Sequence, residues 1–474
     1  MTGEYVPPPG SIPTLEVPEL AGVERVHLIG IGGAGMRNLA KLFLARGIAV
    51  TGSDLKDSKG LAELAALGAT VHVGHSPDRV GDPDAVVISS AIAERNVELA
   101  EARRRGLPVW ARAQALAAMA RDKRAIAVAG THGKTTTTSM IALVLERAGA
   151  DPTYLVGGEP NETGSGARSG DGDLLVAEAD ESDGSFLLLR PEVGIVTNVE
   201  VDHVDFYRGG RGEIEAAFAA FAGRCAHVVA CIDDPGAVRA LSACSGDVVW
   251  YGTEERADVH VRIDGVGPGG ARARLETSEG TVELLLSVDG AHNALNAAAT
   301  VAAAQIVGVP PETAVEALAG FTGVHRRFEH RGSARGAEFY DDYGHVPTEL
   351  EVTLGVARRN DPGRLVAVFQ PHRYSRTQAL WRELGRSLVE ADLVVVTDVY
   401  GADQDPIPGV TGKLVVDGLN QAAPGKRVVY LPHRSDVVRF LEREVRGGDL
   451  VITMGCGDVW MLGDAALERI GEEP

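Results

Sequence analysis

The chain is poor in cysteine. It has four in 474 residues, Cys225, Cys231, Cys244 and Cys456, without metal-ligand spacing and too few for a disulfide framework of this size. That excludes a disulfide-stapled scaffold and fits a reducing, cytoplasmic compartment. Long apolar runs are missing too: the longest candidates are interrupted Ala/Val stretches such as "NAAATVAAAQIVGV", short of the ~18 residues a membrane span needs, so no membrane role is expected. Nor is there a basic excess. With 46 basic and 66 acidic residues the net charge is -20, which repels polyanions and argues against nucleic acid as a partner. The opening "MTGEYVPPPGSIPTLEVPEL" lacks the basic and apolar regions of a secretion signal, and residues 1–22 read as a flexible tail.

What is present is ordinary for a folded protein, 45% hydrophobic and 24% charged, and long enough for about three domains. From residue 25 short Val/Ile-rich strands ("RVHLIG", "AVTGSD", "TVHVG") alternate with Ala/Leu-rich helices, the pattern of βαβ units in a parallel sheet. The alternation restarts at "RAIAVAG" and again after "GFTGVHRRFEHRG". These breaks predict an α/β protein of three domains: Rossmann-like over 23–122, P-loop ATPase-like over 123–324, and Rossmann-like again over 325–474.

Two phosphate-type loops stand out. In "HLIGIGGAGM", Gly30, Gly32 and Gly35 meet the G-x-G-x-x-G pattern between a strand and a helix, and Asp54 ends the next strand. The loop suits a dinucleotide or any other nucleotide diphosphate, and a plain strand-to-helix turn is the bland alternative. In "AVAGTHGKTTTT", Val128 stands where a full P-loop has Gly. Gly130 and Gly133 still form a nest of N–H donors, with Lys134 for the β/γ-phosphates and Thr135 for Mg²⁺. ATP is the expected ligand of this second loop, and the hydroxyls of Thr135 to Thr138 are expected to take up phosphate oxygens or free N–H groups.

The short loop "GTHGKTTTT", with "VAEADESDGSF", "VTNVEVDHVDFY", "GAHNALNAAA", "HRRFE", "DDYGHVPTE", "FQPHRYSRT" and "DQDPIPGVTG" in this order, resembles the Mur ligase family from about residue 25 to 460. The resemblance implies ATP- and Mg²⁺-dependent joining of an amino acid to a nucleotide-linked sugar acid through an acyl phosphate. It is similar above all to the branch that adds L-alanine to UDP-N-acetylmuramate. A related ligase for another amino acid or a peptide is the alternative, and a monomer or weak homodimer is expected.

The resemblance also implies roles. Gly130, Thr131, His132, Gly133, Lys134, Thr135 and Thr136 would hold ATP with His292, Asn293 and Asn296, while Arg327 and Asp342 would touch its phosphate and ribose. Thr135, Glu178 and His203 would hold Mg²⁺. Gly32, Gly33, Ala34, Gly35, Asp54, His75 and the turn Ser89, Ser90, Ala91, Ile92 would face the UDP-sugar. His345, His372, Arg373 and Arg376 would receive the amino acid's carboxylate, which suits a fork of cationic donors. The chain departs from the family pattern at Arg37 and Asn38, at Val346 in place of a second histidine, and at Cys456 where alanine is usual. Two other classes compete on the residues alone. An oxidoreductase leaves Lys134, Glu178 and His203 unused, and a non-catalytic nucleotide sensor leaves the basic "FQPHRYSRT" loop unused.

Overall fold

The computed structural model describes residue 7 and residues 11–203, 206–242, 244, 246–402 and 404–471. Three sheets run in chain order. The first holds β1 (Arg25–Ile29), β2 (Ala49–Asp54), β3 (Thr70–Val73), β4 (Ala85–Ile88) and β5 (Val109–Ala111), all parallel, in the order β3-β2-β1-β4-β5. Strand β1 is buried at Val26, His27, Leu28 and Ile29, as expected for a strand covered by helices on both faces.

The second sheet has ten strands. Its parallel part is built from β6 (Arg124–Ala129), β7 (Thr153–Leu155), β9 (Leu174–Glu178), β10 (Val193–Val196), β11 (His227–Cys231) and β12 (Val248–Gly252), with β8 (Ala167–Arg168) antiparallel at one edge. Beyond β12 come β13 (Val259–Gly267), which pairs parallel with it, and then the antiparallel β14 (Gly270–Thr277) and β15 (Gly280–Leu286). Glycines punctuate the turns of this antiparallel stretch. Residues 1–322 form one compact unit and 323–474 another. A helix, Arg112–Ala120, joins the first two sheets, and one apolar core contains Leu39, Ala115 and Met119 together with Leu175, Phe186 and Phe218. The expected free tail is corrected in part. Ile12, Val17 and Leu20 pack against this core, and Gln114 and Arg121 donate to the carbonyls of Glu16 and Val17, while residues 1–6 and 8–10 lie outside the described set.

The third sheet, in the second unit, holds β16 (Glu329–Ala334), β17 (Ala337–Asp342), β18 (Arg364–Phe369), β19 (Leu393–Val396), β20 (Arg427–Tyr430) and β21 (Asp449–Met454), in the order β16-β17-β21-β18-β19-β20. Only β16 is antiparallel to its neighbour. Among the described residues no helix is long and apolar enough to cross a membrane.

Glu329, which opens β16, accepts from the Arg326 N–H (2.8 Å) and pairs with His325 Nδ1 (2.7 Å) and Arg331 Nη1 (2.9 Å). Burial alone would raise its carboxyl. The hydrogen bonds from His325 and Arg326 and the charges of His325 and Arg331 outweigh that, holding it at about 2 against an ordinary 4.5. A carboxyl depressed by folding contributes fully above its ordinary value and loses that contribution as pH falls through 2. Glu329→Gln is therefore expected to cost roughly 2 to 3 kcal/mol at neutral pH. In denaturant titrations the gap to the parent should narrow below pH 4.5, and a gap independent of pH there would refute the assignment.

Candidate active site

Open parallel sheets bind ligands beyond the carboxyl ends of their strands, where the strand order reverses. Each sheet here has one such point, and each carries a group of the residues singled out by the sequence. In the first sheet it lies between β1 and β4. Residues 30–33 leave β1 and lead into a helix, Ala34–Ala45, capped by Gly33. The turn at residues 89–92 leaves β4, closed by the Ile92 N–H on the Ser89 carbonyl (3.1 Å), with Ser90 and Ala91 exposed. Asp54 Oδ2 accepts from the Gly32 N–H at 3.0 Å, and a Cβ on Gly32 would stand 2.9 Å from that oxygen and crowd this contact. His75 is drawn inward: its Nδ1 meets Ser53 Oγ at 2.8 Å, within a buried group that includes Glu98 and His27.

In the second sheet the reversal lies between β6 and β10. Residues 130–133 follow β6, and Lys134 begins the helix Lys134–Arg147. The segment after β10 braces this loop. The Thr197 hydroxyl donates to the His132 carbonyl (2.6 Å), the His132 N–H to Asn198 Oδ1 (2.8 Å), and the Glu200 N–H to Thr131 Oγ1 (2.9 Å). Gly130 has φ +138°, and a Cβ there would lie 2.0 Å from Thr197 Oγ1, so only glycine fits. The Lys134 ammonium donates to the Gly130 carbonyl and to Glu181 Oε1 (2.9 Å). Burial opposes its charge, but Glu181, Asp180 and Glu178 outweigh this and raise its pKa above the ordinary value.

His203, at φ +52°, brings Nε2 within 3.6 Å of the same Glu181 oxygen. Burial disfavours its charged form, yet Glu181 and Asp202 hold its pKa above the ordinary histidine value. Glu178 ends β9 and accepts the Gly157 N–H at 2.6 Å. Thr135 is buried in the first helical turn and Thr136 half-buried beside it. Contrary to the expectation for the hydroxyl run, Thr138 donates back to the Lys134 carbonyl at 2.8 Å.

Of the three helix residues expected to hold ATP, two stay together, with Asn296 Nδ2 donating to Asn293 Oδ1 at 3.4 Å. Asn296 is buried against Gly133, Asn293 donates to the Asp289 carbonyl at 2.7 Å, and His292 is exposed. One helical face therefore does not carry all three, because neighbours at i and i+1 point apart.

In the third sheet the reversal lies between β18 and β21. His372 and Arg373 follow β18, Cys456 follows β21, and His345 follows β17 on β21's other side. Arg376, almost fully buried, donates Nη1 to His372 Nδ1 (3.1 Å). The His345 and His372 rings meet edge to face at 5.4 Å, and His372 stacks on Tyr400. Asp342 is buried and accepts the N–H groups of Phe328 (2.8 Å) and Gly344 (2.7 Å). Burial pushes its carboxyl up to about 6, against the pull of Arg327 and those hydrogen bonds. The Arg327 guanidinium lies over the Tyr343 ring.

Three family models match successive parts of the chain: "Mur ligase family, catalytic domain" over residues 25–124, "Mur ligase middle domain" over 128–304, and "Mur ligase, glutamate ligase domain" over 326–457. The chain belongs to the Mur ligase family. This Mur ligase is 47% identical over 467 residues to the UDP-N-acetylmuramate–L-alanine ligase of Thermobifida fusca, covering 96% of this chain and 98% of that one. Among solved structures it is similar to the UDP-N-acetylmuramate-alanine ligase of Thermotoga maritima, with TM-score 0.81, 30% identity, and 94% and 98% of the two chains covered. A murein peptide ligase from Psychrobacter arcticus follows at TM-score 0.75, 25% identity, and 96% and 100% coverage.

The Mur ligase's departures from its family pattern acquire physical reasons. Arg37 pairs with Glu159 and Asn38 donates to the Val156 carbonyl (2.9 Å), so both tie the first helix to the second sheet's loop. Val346 is buried at the start of the helix Pro347–Arg359, where an apolar side chain belongs. Two groups escaped the sequence reading. Arg112, whose guanidinium lies against Gly35 and pairs with Asp180 at 3.2 Å, joins the first glycine-rich loop to the acidic segment after β9. Burial alone would raise the Asp180 carboxyl, but Arg112, Lys134 and the Ser182 hydrogen bonds hold it at about 2. Glu181 is the other. It is 1% exposed, and its Oε2 has no hydrogen-bond partner. An orphaned buried carboxylate oxygen near the Thr135 loop and Glu178 is an oxygen-rich donor set, which fits a hard cation such as Mg²⁺.

Proposed function

We infer that the chain is an ATP-dependent amide ligase that joins L-alanine to the lactyl carboxylate of UDP-N-acetylmuramate in cytoplasmic peptidoglycan precursor synthesis. The observation that carries this reading is the near full-length 47% identity to a ligase of that name. The three groups of side chains at strand-order reversals support it, one for each reactant. The loop of Gly32, Gly33, Ala34 and Gly35, with Asp54 and the turn from Ser89 to Ile92, would take the UDP-sugar, with Arg112 as an added cation. The loop from Gly130 to Thr136 would take ATP, and His345, His372, Arg373 and Arg376 would take L-alanine.

Amide formation in water is uphill, so the carboxylate must first be activated. In the proposed route a carboxylate oxygen attacks the γ-phosphorus, ADP leaves, and the amine of L-alanine then displaces phosphate. Phosphoryl transfer depends mostly on positioning and on neutralising spread charge. Lys134 supplies a fixed ammonium, and the braced loop supplies backbone N–H groups that need no reorganisation. Thr135, Glu178 and Glu181, with His203 beside them, would hold Mg²⁺. The ion, when bound, neutralises the triphosphate oxygens.

The route is tested with ¹⁸O in the lactyl carboxylate. One labelled oxygen per turnover is expected in the released phosphate. Unlabelled phosphate during productive turnover would remove the acyl phosphate, whereas turnover with an amino acid other than L-alanine alone would change the substrate and leave the class standing.

A further inference from the structure

We propose that Cys456, His345 and His372 form a binding site for a single zinc-class divalent cation. The topology explains why they meet. β17, β21 and β18 are adjacent and parallel, so the residues just beyond their ends form a row with Cys456 in the middle and a histidine on each side. One ligand atom from each of the three lies within 4.8 Å of the others, and no other group of three His, Cys, Asp or Glu among the described residues converges in this way. In a tetrahedral site with Zn–S near 2.3 Å and Zn–N near 2.0 Å, ligand atoms stand roughly 3.3 to 3.5 Å apart. Closing from the observed spacing takes side-chain rotations of about an ångström.

The chemistry of the donors agrees. A thiolate and two imidazoles are borderline-soft ligands that select zinc over Mg²⁺, and three protein ligands leave a fourth position open. His345 Nδ1 donates to the Tyr343 carbonyl at 3.1 Å, with Glu349 Oε2 at 3.4 Å. This fixes the tautomer that puts the lone pair on Nε2, as is usual for metal-binding histidines. Against binding stands the Arg376 guanidinium, which donates to His372 Nδ1 and so occupies the one lone pair the neutral ring offers; a cation must displace it from that nitrogen, so the affinity should fall below that of a structural zinc centre.

Burial pushes the Cys456 thiol up to about 12, with Glu349 adding to this and Arg376 and Arg326 opposing it. Binding therefore replaces the S–H bond by a metal–sulfur bond and releases one proton to solvent. Affinity should rise with pH, by up to about tenfold per unit. The cluster overlaps the residues assigned above to L-alanine, and only the competition stated next rests on that assignment.

The probe is Co²⁺ added to the reduced, metal-free full chain. One equivalent is expected to give a thiolate-to-cobalt charge-transfer band with the intense visible absorption of tetrahedral cobalt, and Zn²⁺ should displace it. Cys456→Ala, which restores the residue usual in the family, should remove the charge-transfer band and weaken Zn²⁺ binding at least about tenfold. Cys225→Ser should keep both, with thermal melting as the check that each variant is folded. Absence of the band in the parent, or its persistence in Cys456→Ala, would overturn the site. Zn²⁺ should also raise the KM for L-alanine. A cobalt band without that competition would leave the cation site standing and count against the amino-acid assignment.

Discussion

Lys134→Ala should lower ATP-dependent phosphate release by about a thousandfold while leaving UDP-N-acetylmuramate binding within about twofold. The first effect follows from where the ammonium sits. It is held at the first residue of its helix by the Gly130 carbonyl and Glu181, and acidic neighbours keep it charged despite burial. The loop around it is fixed by the Thr197-to-Glu200 brace. The second effect follows from topology, since the residues proposed for the UDP-sugar lie at the reversal point of a different sheet. Single-turnover phosphate release and calorimetry of the UDP-sugar separate the two. Equal loss of sugar binding in a folded variant would contradict the division of labour.

Glu181→Ala should be nearly as damaging, for a different reason. Removing one partner of a buried ion pair leaves the other uncompensated, a loss of about 3 to 5 kcal/mol. Lys134 and His203 both lean on Glu181 Oε1, and the Tyr207 hydroxyl fixes the Glu181 backbone at 2.6 Å. The expected outcome is a lower melting temperature together with a fall of at least about a hundredfold in kcat/KM for ATP. Glu181→Gln, which keeps the volume, should recover part of the stability and little of the activity. A variant that melts and turns over like the parent would show that the lysine finds its counter-charge elsewhere.

Glu181 also marks where sequence reading stops. "EADESD" displays Glu178, Asp180, Glu181 and Asp183 within six residues, and nothing in their order says which carboxylate is buried. The choice is made by the turn after β9, which aims Glu178 toward Gly157 and Glu181 toward Lys134. Arg112 carries no motif at all and becomes relevant only because the helix after β5 passes Gly35. β16 leaves no signal in the sequence, because "EHRGSA" has no apolar alternation. Its pairing with β17 is what makes it a strand.

By itself the sequence determined the α/β class, the family, both glycine-rich strand-to-helix loops and the basic loop of the third sheet, because each is a local pattern: strand, glycine turn, helix, within about ten residues. Only the tertiary structure decided which of these patterns meet. It placed Thr197 and Asn198 behind the P-loop, gave Arg37 and Asn38 partners on the second sheet's loop, and set Cys456 between two histidines. The physical reason is that strand order is not chain order. β6 lies beside β10 and β21 between β17 and β18, so residues far apart in sequence emerge side by side from the ends of neighbouring strands.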